Sequence, residues 1–516
     1  MSDAHLEHHT IKVRQLIADY RAGKIVIPEF QREYVWRRGK APKLIDSLYQ
    51  GFPVSSLLFW NSTNDVRARR NDPRPSRGGM LSWLIDGQQR VITLARTMTG
   101  DEGIDVVFSP EADDDKAFQL ANAATSQDKG NWFRVAEIWD DDLYRQLRRT
   151  VVEGRNADRR EERLERVRAV LDYEIPYVRM VDHTFDGAVK AFTRINTLGV
   201  RLRGEDIESA RVAAQHTGLI ADEVAPFLAT IRADGFSRMN IMQLFRACAF
   251  IAQPDGRSRT PLHELGRTEV LRAWKKTEQA TLDAIGLIRS ELGLVNMDIL
   301  WSGALVVPLI ALCGTRSPRD RDGHGLAAWL ALAAIHHRYS GAAETALDQD
   351  LRACRANDPL GGLLGNLRQA GGSLEATGDH FIGALADRSG LLALYVACKN
   401  RGVLDFHTGE KILLQRTVER HHILPRGQFE PKERSTADCI ANIAFIIGGS
   451  NRAITNTGPE VYLPKVPAKI RKSQCVPDDE KLWRVDSAED FWTARRELLA
   501  ESFNEYTREA LPGRKL

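Results

Sequence analysis

From residue 205 to about 400 the chain runs in helical pattern, rich in Ala and Leu, with a Gly-rich break at 361–373. On both sides the texture changes to short apolar runs separated by polar turns. A chain divided in this way does not fold around one core of one kind. It reads as an α+β multidomain protein with boundaries near 215 and 400, which suits 516 residues at roughly 150 per domain. The three parts are 1–215, 216–400 and 401–516, and no repeat of fixed period crosses them.

The first part mixes helix and strand signals. Thr10–Ala22 carries apolar residues at 11, 13, 16, 17 and 20, the spacing of an amphipathic helix. Ile25–Ile27, Val54–Trp60, Leu81–Ile85 and Tyr173–Val181 read as strands, and Lys43–Tyr49, Val91–Met98 and Ala188–Ile195 as helices. The charged stretch 140–170 reads as a solvated helix with i,i+4 pairs. In the last part, Ile440–Ile447 reads as a strand, Ser450 as the N-cap of a helix starting near Asn451, and Ala488–Phe503 as a closing helix.

Composition removes several classes. The net charge is +3, so the chain is not basic throughout and any phosphate-binding surface is local. The six Cys lie 36 or more residues apart with no C-x-x-C pair, which argues against zinc knuckles and disulfide scaffolds and points to a reducing compartment. The N-terminus has no signal-peptide pattern. The most apolar stretch, Ile299–Cys313, contains Ser302, Gly303 and Pro308 and fits a buried helix better than a membrane span. The expectation is a cytoplasmic protein with no membrane partner.

The strongest chemical signal is Glu419-Arg420-His421-His422-Ile423-Leu424-Pro425, followed by Asn442 and Asn451. Phosphodiester cleavage needs a base to activate water and a cation to neutralise developing charge. A His beside a metal ligand at a strand end, with an amide oxygen returned from a following helix, supplies that set compactly. Two other His pairs, His8-His9 and His336-His337, lack the Ile-x-Pro continuation and the spaced Asn residues. Residues 401–476 hold 12 Lys/Arg against 7 Asp/Glu, a local +5, with Arg416, Arg420, Arg426, Lys432 and Arg434 around the motif and Lys465, Lys469, Arg471 and Lys472 beyond it.

This segment resembles an HNH (ββα-metal) nuclease. The resemblance implies His422 as general base, His421 and Asn451 as metal ligands, and Asn442 as the residue that ties the loop together. That family often has an acidic residue where His421 stands, which makes Glu419 the backup ligand; Asn456 is a weaker alternative to Asn451. The implied cofactor is Mg²⁺ or Mn²⁺.

Three motifs stand out before residue 205: Ile27-Pro28-Glu29-Phe30-Gln31-Arg32-Glu33-Tyr34-Val35-Trp36, Asp86-Gly87-Gln88-Gln89-Arg90, and Phe192-x-x-Ile195-Asn196-Thr197-x-Gly199. Each puts amides or a guanidinium at a turn between apolar segments, as a polyphosphate site requires. The same residues equally suit a turn and a helix cap. No G-x-x-x-x-G-K-[ST] is present, which excludes a P-loop. These motifs resemble the ParB/sulfiredoxin-like N-terminal domain of the GmrSD-, SspE- and BrxU-type DNA-defence effectors, where it also precedes an HNH domain. The resemblance implies that Gln31, Arg32, Asp86, Gly87, Gln88, Gln89 and Arg90 line a nucleoside triphosphate site, GTP first, with Asn196 and Thr197 close by. Gln88 or Gln89 would orient the attacking water and Arg90 would stabilise transferred charge.

The implied whole is an antiphage restriction effector. It hydrolyses NTP, senses a DNA modification such as phosphorothioate, and nicks or cleaves double-stranded DNA, with room for a homo-oligomer and partner modification proteins. The alternative is a nucleotide-switched DNA-binding regulator with a non-catalytic HNH fold. A sulfiredoxin-type small-molecule enzyme is the third reading.

Overall fold

The computed structural model describes residues 4–516 except 32–33, 35, 37–38, 63–66, 70–71, 77–79, 101–103, 129, 152–155, 199–203, 254–259, 385 and 413–417. The chain divides into two compact units, Met1–Val224 and Ala225–Leu516.

The first unit is built on a mixed five-stranded sheet. Strand β1 (His5–Lys12) leads directly into helix α1 (Val13–Arg21), followed by β2 (Ile25–Val26), α2 (Lys40–Tyr49), β3 (Leu57–Ser62), β4 (Leu81–Asp86) and α3 (Gln88–Thr99). Strands β5 (Val106–Phe108), β6 (Phe118–Leu120) and β7 (Phe133–Arg134) form a separate small antiparallel sheet. Helices α4 (Asp141–Val151) and α5 (Ala157–Ala169) precede β8 (Glu174–Val181), and α6 spans Phe185–Leu198. The main sheet runs β1-β8-β3-β4-β2, with β3 parallel to β8 and β2 parallel to β4.

Helix α1 buries Val13, Leu16, Ile17 and Tyr20, one apolar stripe at helical spacing. Its start differs from the expected Thr10, because Thr10–Lys12 pair along β8 opposite Glu174–Pro176. The remainder of β1 is polar and largely exposed, so it carries no alternation and is held by main-chain pairing to a strand some 170 residues away. Among its described residues the charged stretch forms two helices that are mainly exposed, with Tyr144, Leu164 and Val167 turned into the core and one charged residue buried beside them. Arg163 is buried and donates to the carbonyls of Pro110 and Ala112.

The second unit is mostly helical. Its helices include α7 (Ile241–Ala252), α8 (Arg267–Leu287), α9 (Val307–Thr315), α10 (Gly323–Ile335) and α11 (Arg388–Asn400). Helix α10 is buried on every face from Gly325 to Ile335, as its unbroken apolar composition requires. Strands β9 (Val418–His422) and β10 (Ile443–Ile447) pair antiparallel, and α12 (Gly448–Ile454) follows β10 without a linker. The closing helix α13 (Ala488–Ala510) packs along α11 and against the Ile440–Asn442 turn that leads into β10. Its fully buried Arg495 donates to the carbonyls of Ala441 and Gln474. Gln474 in turn accepts from Phe445 N and donates to Phe445 O, standing where a third strand would pair with β10. This cross-bracing gives a two-stranded ribbon, marginal by itself, a fixed position.

Candidate functional site

The hairpin site follows from strand alternation. Glu419 and His421 are two apart on β9 and share a face, and α12 turns back over that face to bring Asn451 between them. Asn451 Nδ2 donates to Glu419 Oε2 at 2.7 Å, and its Oδ1 faces His421 Nδ1 at 3.0 Å. Gly448 makes room for this arrangement, since a Cβ there would stand 2.6 Å from Glu419 Oε1. All three expected ligands are therefore in one hydrogen-bonded chain.

Because the Asn451 amide presents its oxygen to the ring, His421 Nδ1 carries the hydrogen and Nε2 is a bare lone pair. That Nε2 is buried and has no hydrogen-bond partner. His421 is 3% exposed, edge-on to Phe406 and Tyr462, and burial pushes its pKa down to about 4, so the ring is neutral at physiological pH. Imidazole, carboxylate and amide oxygen are donors a divalent cation takes, with Mn²⁺ suiting the mixed nitrogen and oxygen set better than Mg²⁺, but it is Nδ1 that faces Asn451, so a cation held by all three would need the ring to present a lone pair on that side. Among the described residues no three His, Cys, Asp or Glu side chains form such a group by themselves, so this donor set depends on Asn451.

His422 takes a different partner. Its Nε2 lies 2.9 Å from Asp438 Oδ1, and Arg426 Nε stands 3.4 Å from the other carboxylate oxygen. Asn442 is fully buried and clamps the intervening loop. Its Oδ1 accepts from Leu424 N, and its Nδ2 donates to Leu424 O and Ala437 O, each at 2.9 Å. Asn456 stands against Gly427 and Gln428 instead.

Ser450 is not the N-cap that the spacing predicts. The helix already starts at Gly448, and the Ser450 hydroxyl donates to Asp405 Oδ1 at 2.7 Å. Asp405 is fully buried. Burial opposes its ionisation, yet donors from Ile447 N, Ser450, Thr408 N and His407 N hold its pKa below the ordinary value. It thus anchors the β10–α12 corner. Neither Asp405 nor Asp438 belongs to a spacing motif, so sequence reading missed both. Of the second basic cluster, Arg471 is structural: it stacks on Trp483 at 4.8 Å and donates to the carbonyls of Leu463 and Val466. Arg416 lies outside the described residues.

In the first unit, Gly87 makes the turn from β4 into α3 with φ +99°, a conformation that favours glycine, and a Cβ there would meet Leu57 Cδ2 at 2.3 Å. Asp86 and Arg90 flank it and approach within 3.5 Å. The Arg90 guanidinium donates to the carbonyls of Val54 and Ser55 at 2.6 Å and Ser56 at 2.9 Å, and burial lowers its pKa. Gln31 is buried and donates to the β4 carbonyls of Leu84 and Ile85. Gln88 Oε1 accepts from Arg69, which also pairs with Asp72, itself bonded by Tyr20. Gln89 Oε1 accepts from Trp36 N. The motif residues thus converge on the β4–α3 corner and largely brace the loops around it. Arg32 and Gly199 lie outside the described residues; Asn196 and Thr197 fall on α6, where their side chains are likewise not described.

Glu29, which sequence reading left out of the site, is the motif's buried carboxylate. It accepts from Gly218 N at 2.9 Å and Ala221 N at 2.8 Å, and burial raises its pKa to about 6 against the pull of those donors.

Residues 13–213 match the family model described as the GmrSD restriction endonuclease, N-terminal domain. No curated protein matches the chain. Among the described residues no helix is long and apolar enough to cross a membrane.

Proposed function

On the premise that residues 13–213 form a GmrSD restriction endonuclease N-terminal domain, we propose that this chain is a restriction-type defence enzyme that nicks or cuts DNA through its β9–β10–α12 site. The observation that carries the reading is the chain Glu419–Asn451–His421 beside His422 on one hairpin. Glu419, His421 and Asn451 would hold a divalent cation, which when bound supplies charge stabilisation at the scissile phosphate. His422 takes a proton from the attacking water. Asn442 keeps the loop between the strands in register, and Arg426 and Arg434 contact flanking phosphates. The β4–α3 corner binds a nucleoside triphosphate, with GTP the first choice, and its occupancy gates cutting. Modified phage DNA is the substrate class in this reading.

The test is plasmid cleavage by wild type and His422→Ala with Mn²⁺ or Mg²⁺, with and without GTP, ATP or CTP, on matched modified and unmodified DNA. Intact plasmid with wild type under every condition overturns the enzyme reading.

One observation favours the second reading, a nucleotide-switched DNA-binding regulator: a His occupies the ligand position where an acidic residue is common. Equal behaviour of wild type and His422→Ala, with DNA binding retained in both, would select it.

A further inference from the structure

We infer that Asp438 is the positioning residue for His422, fixing which ring nitrogen is free to act as base; this rests on the nuclease reading above. The two side chains are sixteen residues apart and meet at 2.9 Å, His422 Nε2 to Asp438 Oδ1. A carboxylate only accepts, so Nε2 carries the hydrogen and the neutral ring keeps its lone pair on Nδ1. Both side chains are about a quarter exposed, within reach of a substrate and not sealed in the core.

The contact is built in, as the residues around it demonstrate. Asn442 bonds Leu424, two residues beyond His422, and Ala437, the residue before Asp438. One buried amide therefore sets both ends of the pair. Arg426 Nε stands 3.4 Å from the other oxygen, Asp438 Oδ2, and holds the carboxylate from its far side.

The consequence is a defined proton path. Nδ1 takes the proton of the attacking water as its oxygen bonds to phosphorus, the P–O bond to the leaving oxygen breaks, and that oxygen is protonated from solvent. The hydrogen on Nε2 stays where it was, and the carboxylate stabilises the imidazolium that forms without itself being protonated. A partly exposed ion pair with no such role would contribute little to anything.

The experiment uses full-length wild type, Asp438→Ala and Asp438→Asn with Mn²⁺, reading plasmid nicking kinetics, Mn²⁺ half-saturation, and the tautomer of His422 by ¹⁵N-histidine NMR. Asn preserves size, and because Arg426 competes for its amide oxygen, its NH₂ turns to His422 and moves the hydrogen to Nδ1. The expected result is a fall in kcat of about 100-fold in both variants with KM unchanged. Wild type shows the Nε2–H tautomer and Asp438→Asn shows Nδ1–H. Wild-type kcat in either variant, an unchanged tautomer, or a raised Mn²⁺ requirement would overturn the proposal, the last marking Asp438 as a metal ligand. If wild type does not cut at all, the nuclease reading fails, while the NMR result still decides whether Asp438 sets the tautomer.

Discussion

The two motif clusters use similar polar residues in opposite ways. At the β4–α3 corner the donors are spent on the protein itself, Arg90 on three carbonyls, the Gln31 NH₂ on two and Arg69 on Gln88, and one acceptor, Gln31 Oε1, is left buried without a partner. At the hairpin, what is left over is imidazole nitrogen: His421 Nε2 is buried without a partner, and His422 is held by a carboxylate at one nitrogen. Four experiments press on that difference.

The largest effect falls on the hairpin. His422→Ala is expected to reduce nicking by about 10²–10⁴-fold, the span of base catalysis, while circular dichroism and the unfolding midpoint stay at wild type. A loss of fold would place His422 among the bracing residues and erase the contrast.

Arg90→Met probes the other side. Three backbone carbonyls lose a charged donor, and the first unit is expected to lose about 3 kcal/mol by urea unfolding. A variant that folds normally and loses only nucleotide turnover would show Arg90 acting on a ligand, which breaks the comparison.

Stability against pH separates the units by sign. Glu29 has its pKa raised to about 6, so its contribution is full below the unfolded value and is lost as pH rises through 6. His421 has its pKa lowered to about 4, so its contribution is full above the unfolded value near 6.5 and is lost as pH falls towards 4. The spans correspond to about 3 kcal/mol for His421 and about 2 kcal/mol for Glu29. Hydrogen exchange with chelator present should show the hairpin loosening in acid and the Gly218–Ala221 segment tightening. Glu29→Gln should flatten the second slope, and matching slopes in both units would refute the assignment.

The smallest effect concerns metal choice. His421→Asp replaces a nitrogen donor by oxygen and should shift nicking from Mn²⁺ towards Mg²⁺ by about tenfold in half-saturating concentration. No shift would remove His421 from the ligand set.

Much of this was legible in the chain because it is local. Apolar spacing located β4 and α3 around Asp86-Gly87, and the run before and after HHILP located a strand, a loop, a strand and a helix. Alternation along β9 puts Glu419 and His421 on one face, a relation that follows from their spacing of two once the strand is known. The polar strand β1 was not legible, since nothing in its side chains records the partner it pairs with. Nor was the start of α12, where Asp405 draws the Ser450 hydroxyl inward from a position that spacing assigns to a cap.

What the sequence determined by itself is therefore the set of local elements and the residue types they present. The tertiary structure alone decided which polar groups are spent and which are left over. Glu29 meets Gly218 across 189 residues, Arg90 meets the 54–56 carbonyls across about 35, and Asp438 reaches His422 across a loop clamped by Asn442. A hydrogen bond is satisfied by whatever donor the closed chain brings to it, and closure over such distances is set by packing of the whole unit, not by the propensities of neighbouring residues.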